Sequence, residues 1–378
     1  MNTLSVGIVG LGQFGTHFVE LFQKHPRVRR VALCDLDAGK RTEAARRFGV
    51  AETYDSLDAI CASNLDALAI ITQPWLHAPQ AIQALRAGKH AYTAVPIISP
   101  KSGSGDEILD WCDRLITCCR ATGQFYMMGE TTYFRPETVM CRKRAADFGQ
   151  FVFAESEYLH DTWLPACNLI NVQMARTGWS EPEVLAAGGD IPMHYPTHST
   201  SAPISIMGAH CVTVSAFGYA LPSDLYFRKD SVTGNVFSHE VAMFRMSNGA
   251  IAQVTESRRN GHIGHEGVVR IIGTESSYEQ DTTDEYAGRW ITTTQATRVD
   301  PRSYRDPLPE ALSSDLGGHG GSHAYLVDEF VSACTDARMP KINAWEAARY
   351  VAAGVTAHQS VMRDGELLQV PDWGDAPS

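Results

Sequence analysis

The chain has 378 residues, of which 44% are apolar and 20% charged, with a formal net charge of −11. This length exceeds one ordinary core and implies two domains at roughly 100–200 residues each. The acidic balance excludes a nucleic-acid partner, because a polyanion requires a basic surface, and no apolar run approaches the roughly 20 residues that span a bilayer. From Met1 to Val6 there is no basic segment leading into an apolar stretch and a cleavage site, so a cytoplasmic location is expected. The nine cysteines are odd in number and scattered, without C-x-x-C spacing, and are read as reduced thiols.

Val6-Gly7-Ile8-Val9 reads as a buried parallel strand running into Gly10-Leu11-Gly12-Gln13-Phe14-Gly15, with a helical stretch from Thr16 to Lys24. This is G-x-G-x-x-G in a strand, turn and helix context. Gly10 permits the tight turn, Gly12 lets a pyrophosphate approach the backbone, and Gly15 lets helix and strand pack closely. Gln13 and Phe14, within this turn, are read as cofactor-binding, and the N-terminus of the following helix offers amide donors to phosphate. A second strand, Val28 to Leu33, ends at Cys34-Asp35, which is 20 residues past Gly15. A carboxylate there meets the ribose hydroxyls and repels a 2′-phosphate, so the expected cofactor is NAD.

Helices around Ala38–Phe48 and Ser56–Ala62, a strand at Ala67–Ile71, a helix at Leu76–Ala87 and a strand at His90–Thr93 continue the alternation. A helix at Asp106–Ala121 and a strand at Phe125–Met128 complete it. The repetition predicts an α/β, doubly wound parallel sheet, a Rossmann domain, over residues 1–134. Loops at the carboxyl ends of such strands carry ligands. They mark Thr72, Gln73 and Pro74 with the nearby His77, then Ala94 and Pro96, and then Glu130, as cofactor-binding. Residues 135–378 read as a substrate-binding and oligomerisation domain. Its strand candidates at 151–158, 212–219, 240–246, 250–256 and 267–273 predict an α+β unit with an open, mostly antiparallel sheet. The C-terminal helices are expected to pack back on the first domain.

Over essentially its whole length the chain resembles the Gfo/Idh/MocA oxidoreductase superfamily. The matching parts are Gly10-x-Gly12-x-x-Gly15 with Asp35, Thr72-Gln73-Pro74-Trp75-Leu76-His77, and Ala87-Gly88-Lys89-His90-Ala91-Tyr92 leading to Pro96. The helix His323 to Phe330, with Pro340-x-Ile342 after it, also fits. Family dehydrogenases usually carry Glu-Lys-Pro where this chain has Ala94-Val95-Pro96, and the lysine there helps shuttle the proton of a substrate hydroxyl. They also place an Asp four residues before a His, and here those positions hold His194 and His198. Val-Pro at the lysine site and Tyr195-Pro196-Thr197-His198 look more like the superfamily's NAD-dependent glycoside hydrolases, such as the α-N-acetylgalactosaminidases. Those enzymes keep a Glu where Ala94 stands, which leaves room for another sugar, including the sulfonated sugars cleaved by related sulfoquinovosidases.

The resemblance implies hydrolysis through transient oxidation of a ring hydroxyl, usually at C3. Removal of the acidified C2 proton, loss of the aglycone, addition of water and return of the hydride follow. A dimer or tetramer is also implied. His198 is the first catalytic candidate, because a histidine titrates near neutrality and can take a hydroxyl proton. Tyr195, three residues earlier, and Tyr133, after the last nucleotide-domain strand, are acid/base candidates beside it. Glu130 is read against the nicotinamide ribose or the substrate. His160, His194, Arg258, Arg259, His262 and His319 are substrate candidates, with at most one of the adjacent arginines facing the sugar. Ser322 is read as the cap of the following helix. No H-E-x-x-H, cysteine cluster or calcium loop is present, so no metal is expected, and no Gly-x-Ser-x-Gly elbow suggests a serine hydrolase. A sugar or polyol dehydrogenase, and a non-catalytic nucleotide-binding regulator, stand as alternatives.

Overall fold

The computed structural model describes residues 2–162, 169–261, 265–282, 287–314 and 316–377. Strand β1 (Leu4–Val9) is buried at every position, as befits a parallel strand covered on both faces. It leads through the glycine turn into α1 (Gln13–Lys24), β2 (Val28–Cys34), α2 (Ala38–Phe48), β3 (Thr53–Tyr54) and α3 (Leu57–Cys61). Then follow β4 (Ala67–Ile70), α4 (His77–Arg86), β5 (His90–Thr93), α5 (Gly105–Thr122) and β6 (Tyr126–Met128). Side chains of Asp37, Ser56 and Ser104 accept first-turn amides and start α2, α3 and α5. The six strands run parallel in the order β3-β2-β1-β4-β5-β6. The order reverses at β1 and β4, so the crevice at their carboxyl ends lies beside Gly10–Gly15 and the loop after β4.

The chain then forms α6 (Pro136–Lys143), β7 (Phe151–Leu159), α7 (Leu169–Thr177), α8 (Glu181–Ala187), α9 (Thr197–Met207), β8 (Cys211–Ala220), β9 (Phe237–Met246) and β10 (Ile251–Ser257). After them come β11 (His265–Gly273), β12 (Ser276–Gln280), β13 (Gly288–Thr292) and β14 (Ala296–Val299). The last elements are α10 (Glu310–Ser313), α11 (Gly318–Thr335), α12 (Ala344–Val361) and β15 (Leu368–Gln369). The nine-stranded sheet has the order β14-β13-β12-β11-β7-β10-β9-β8-β15. β7 and β10 pair in parallel and the other described pairs are antiparallel. β7 alternates with a period of two, turning Ala154, Ser156 and Tyr158 inward. α9 packs against β7, β10 and β11 on that inner face and carries His198.

α11 returns to pack on α1 and β1, and α12 packs on α5 and β6. The Met128 amide donates to the Ile342 carbonyl at 3.0 Å, and the two sheets share one continuous core. Ser322 does not cap a helix. His319, Gly320 and Gly321 all take positive φ at the start of α11, and this turn carries Ser322 into the interior, where its hydroxyl is buried without a hydrogen-bond partner.

Candidate active site

The glycine turn is shaped for a pyrophosphate. Gly10 has φ +95°, and a Cβ at Gly15 would come 2.0 Å from the Gly10 carbonyl oxygen, so packing fixes both as glycine. At Gly12 a Cβ would meet nothing within 4 Å, and no side chain caps α1. Open space beside an uncapped helix N-terminus suits phosphate oxygens, which take the amide donors there. Asp35 accepts the Leu11 amide at 2.7 Å and the Asp37 amide at 2.9 Å. A carboxylate has about four acceptor sites, so capacity remains for ribose hydroxyls. Arg41 donates through Nη1 to the carbonyls of Asp35 (2.7 Å) and Leu36 (3.3 Å), which ties that nitrogen to the backbone.

The loops after β4 and β5 are tied together from below. His77 is buried, its Nδ1 donates to the Pro96 carbonyl at 2.8 Å, and its Nε2 lies 3.2 Å from the Thr72 carbonyl. This corrects the reading of His77 as a cofactor ligand. As the first residue of α4 its ring points inward between the loops, where it braces them. Thr72 donates its hydroxyl to Gln80 at 2.6 Å, Gln73 flanks the short turn before α4, and Pro74 and Ala94 are buried beneath the crevice. Phe14 turns toward α11, its ring 5.3 Å from that of His323 and 6.3 Å from that of His319.

Facing this crevice is a buried histidine–carboxylate pair. His198 Nδ1 donates to Glu130 Oε1 at 2.8 Å, with side chains 4% and 0% exposed. Burial pushes the Glu130 carboxyl up, but the His198 ring, the Thr197 hydroxyl and the Thr132 amide together hold it below the usual range. Glu130 Oε1 is thus engaged by His198 and the Thr132 amide, while Oε2 is buried without a hydrogen-bond partner. The bond commits Nδ1 to Glu130 and fixes the orientation of the ring.

Rings gather around His198. Tyr158 lies at 5.1 Å, Tyr195 at 5.5 Å and His319 at 6.3 Å, the last at an interplanar angle of 23°. The Tyr158 hydroxyl and His160 Nδ1 are hydrogen-bonded at 2.6 Å. The Gly318 amide donates to His323 Nδ1 at 3.2 Å, so His323 Nε2 carries a proton and donates to His319 Nδ1 at 2.9 Å. His160, Tyr195, His198 and His319, scattered over 160 residues of sequence, thus meet at one place. Tyr158 joins them without having been read from the sequence. Its signal is Tyr158-x-His160, a spacing that keeps both side chains on one side of an extended segment.

Other candidates go elsewhere. Tyr133 packs its ring 3.7 Å under the Arg142 guanidinium and lines a separate hollow of about 780 Å³ with Glu346 and Arg349. The short helical turn at Thr132–Phe134 rotates it away from the crevice. His194 is also directed away from His198, and its ring lies 5.0 Å from that of His358. Arg258 is buried, bonded to Glu256 at 2.9 Å, 3.7 Å from Asp190 and 4.9 Å over the Tyr158 ring. It braces the site instead of meeting a sugar. Arg259 pairs with Asp224 at 3.0 Å, and His262 lies outside the described residues. Glu256, which the sequence did not mark, is pushed up to about 7 chiefly by burial, against the pull of Arg258, and it accepts the Ser199 hydroxyl.

The glycine turn, Asp35 and the parallel sheet match a known family over residues 4–129, described as an oxidoreductase family with an NAD-binding Rossmann fold. The family match supplies NAD as the cofactor, and the open Gly12 turn fits it. Over nearly the full chain, the protein is 23% identical to a glycosyl hydrolase family 109 protein of Solibacter usitatus, covering 98% of this chain and 88% of that one. It is 22% identical to an α-N-acetylgalactosaminidase of Shewanella oneidensis, covering 99% and 85%. A levoglucosan dehydrogenase solved with NADH and levoglucosan superposes with a TM-score of 0.76 at 18% identity, covering 98% and 100%. This last likeness is one of fold.

Proposed function

We propose that the protein is an NAD-dependent glycoside hydrolase that oxidises a ring hydroxyl transiently and restores it before releasing product. The observation that carries this is the buried Glu130–His198 pair at the crevice, together with Val95 where family dehydrogenases hold lysine. Gly10, Gly12, Gly15 and Asp35 would hold NAD, which accepts a hydride from the sugar and later gives it back. His198 Nε2 takes the hydroxyl proton as that hydride departs, and Glu130 stabilises the resulting imidazolium through Nδ1.

Tyr158 stands beside His198 to take the C2 proton on its oxygen as it passes its own proton to His160 Nδ1, with Tyr195 next to it. Removal of the C2 proton drives out the C1 substituent, and water replaces that group, so the net change is hydrolysis. Val95 has no proton to exchange, so in this reading the acid/base work falls to these rings. The likeness to the family 109 proteins supports the same reading.

Chromogenic α- and β-glycosides offered to the NAD-loaded enzyme in deuterated water test this. Released sugar should carry deuterium at C2 with no accumulation of NADH. Stoichiometric growth of NADH absorbance instead would mark a sugar dehydrogenase, and aglycone release without C2 deuterium would overturn the mechanism.

A cytoplasmic homo-oligomer completes the proposal. The described cysteines are unpaired, as in a reducing compartment. Phe217, Tyr219, Met243 and Ile251 are exposed on one face of β8–β10, an apolar strip suited to a second copy. Phe217→Asp should shift the elution volume toward monomer.

A further inference from the structure

A cleft of about 370 Å³ is bounded by the Pro74–Trp75 turn, the loop at Ser99–Gly103 and the α7–α8 excursion. This lies in the size range of small-molecule sites, roughly 300–1,000 Å³. Trp75, Trp179 and Tyr226 line it, and Trp179 remains 46% exposed at its rim. Indole and phenol faces are the surfaces on which flat apolar faces of rings stack. Lys101 lies 4.5 Å over the Trp75 ring and Asp190 stands across the wall, so the cleft carries one charge of each sign and favours no net charge in a ligand.

His194 is a second, independent sign. It lines the cleft, is 6% exposed, and its Nε2 is buried with no hydrogen-bond partner. Burial, reinforced by the neighbouring His358, holds its pKa well below the histidine range. A neutral imidazole offers one donor and one acceptor, which suits a hydroxyl or ether oxygen better than a charged group. Two of its lining residues, Pro74 and Asp190, tie the cleft to the site. Pro74 belongs to the nucleotide crevice, and Asp190 lies 3.7 Å from the Arg258 that covers Tyr158.

We infer that this cleft receives the group that leaves from the anomeric carbon, and that this group is an uncharged ring with a flat apolar face, a second sugar or an aryl aglycone. The inference rests on the glycosidase reading. Trp75 and Trp179 clasp the ring, His194 meets one of its polar atoms, and the glycone stays over the crevice.

NAD-loaded His198→Ala protein, which binds without turnover, is titrated by calorimetry with a phenyl glycoside and, separately, with a disaccharide of the same glycone. Affinity should weaken about tenfold when Trp179→Ala is added, and the tighter probe assigns aryl or sugar. Absence of binding by both probes, or affinity unmoved by Trp179→Ala, overturns the inference. In the active enzyme Trp179→Ala should raise KM for a p-nitrophenyl glycoside about tenfold while moving the methyl glycoside by about twofold or less. Equal effects on both substrates would reveal general damage and overturn it. If Trp179-dependent binding persists but neither glycoside is cleaved, the cleft stands and hydrolysis is what fails.

Discussion

Among the described residues, two buried histidine–carboxylate pairs have nearly the same geometry. His198 meets Glu130 at 2.8 Å, and His358 meets Glu240 at 2.6 Å, both through Nδ1. Their surroundings differ. Around His198 stand Tyr158, Tyr195 and His319, at the mouth of the nucleotide crevice. His358 is enclosed on α12, its partner Glu240 also accepts the Met193 amide at 3.0 Å, and the adjoining ring is that of His194. One pair positions a base where a substrate arrives, and the other fastens α12 to β9. A histidine–carboxylate pair is therefore no signature of catalysis until its neighbours are counted.

The sharpest way to break this comparison is to remove each histidine. His198→Ala should lower kcat by on the order of 10²–10⁴-fold while NAD still binds, as read by fluorescence titration. Unchanged turnover would return both pairs to a structural role. His358→Ala should do the reverse. It leaves the buried Glu240 carboxyl without its ring partner, at a stability loss of about 3–5 kcal/mol, measured by denaturant unfolding, with kcat of the folded fraction near that of the parent.

Glu130→Gln keeps the shape of the first pair and removes its charge. It should cost about 10²-fold or more in kcat, with a smaller change in KM. A drop in stability without a drop in kcat would make Glu130 a mere brace.

The smallest effect concerns Glu256 behind His198. Its carboxyl is raised from 4.5 to about 7 in the folded protein. Between those values the native state holds a proton that the unfolded chain has released, so this group's contribution makes stability fall as pH rises through that window. Glu256→Gln should flatten the decline across pH 4.5–7, read as the difference in unfolding free energy between variant and parent. A parallel pair of curves would place the Glu256 carboxyl in its ordinary range.

Much of the nucleotide half was legible because its signals are local. Gly10, Gly12, Gly15 and Asp35 are specified within one βαβ unit, and the strand runs are continuous and apolar. β3, only Thr53–Tyr54, is too short to leave a pattern. In the second half β7 to β11 were readable, whereas β12 to β14, with polar stretches such as Ser276–Gln280, carry little alternation. The site was readable by residue type but less so by role. His198 stood out, yet its tie to Glu130 spans 68 residues of sequence, and nothing local announces it. Arg258 reads as a sugar ligand until the chain leaves β10 and carries it inward to Glu256. The cap expected at Ser322 failed because three consecutive positive-φ residues, including His319, decide where that helix becomes regular.

The clasp of His77 between the carbonyls of Thr72 and Pro96 has a consequence for how such enzymes diversify. It holds the Ala94–Pro96 loop by backbone oxygens, which every amino acid supplies, so the loop's seat is indifferent to what its side chains are. Val95 thus occupies a socket that accepts reagent and spectator alike. A lineage can change its chemistry there by a single codon while the mounting stays intact.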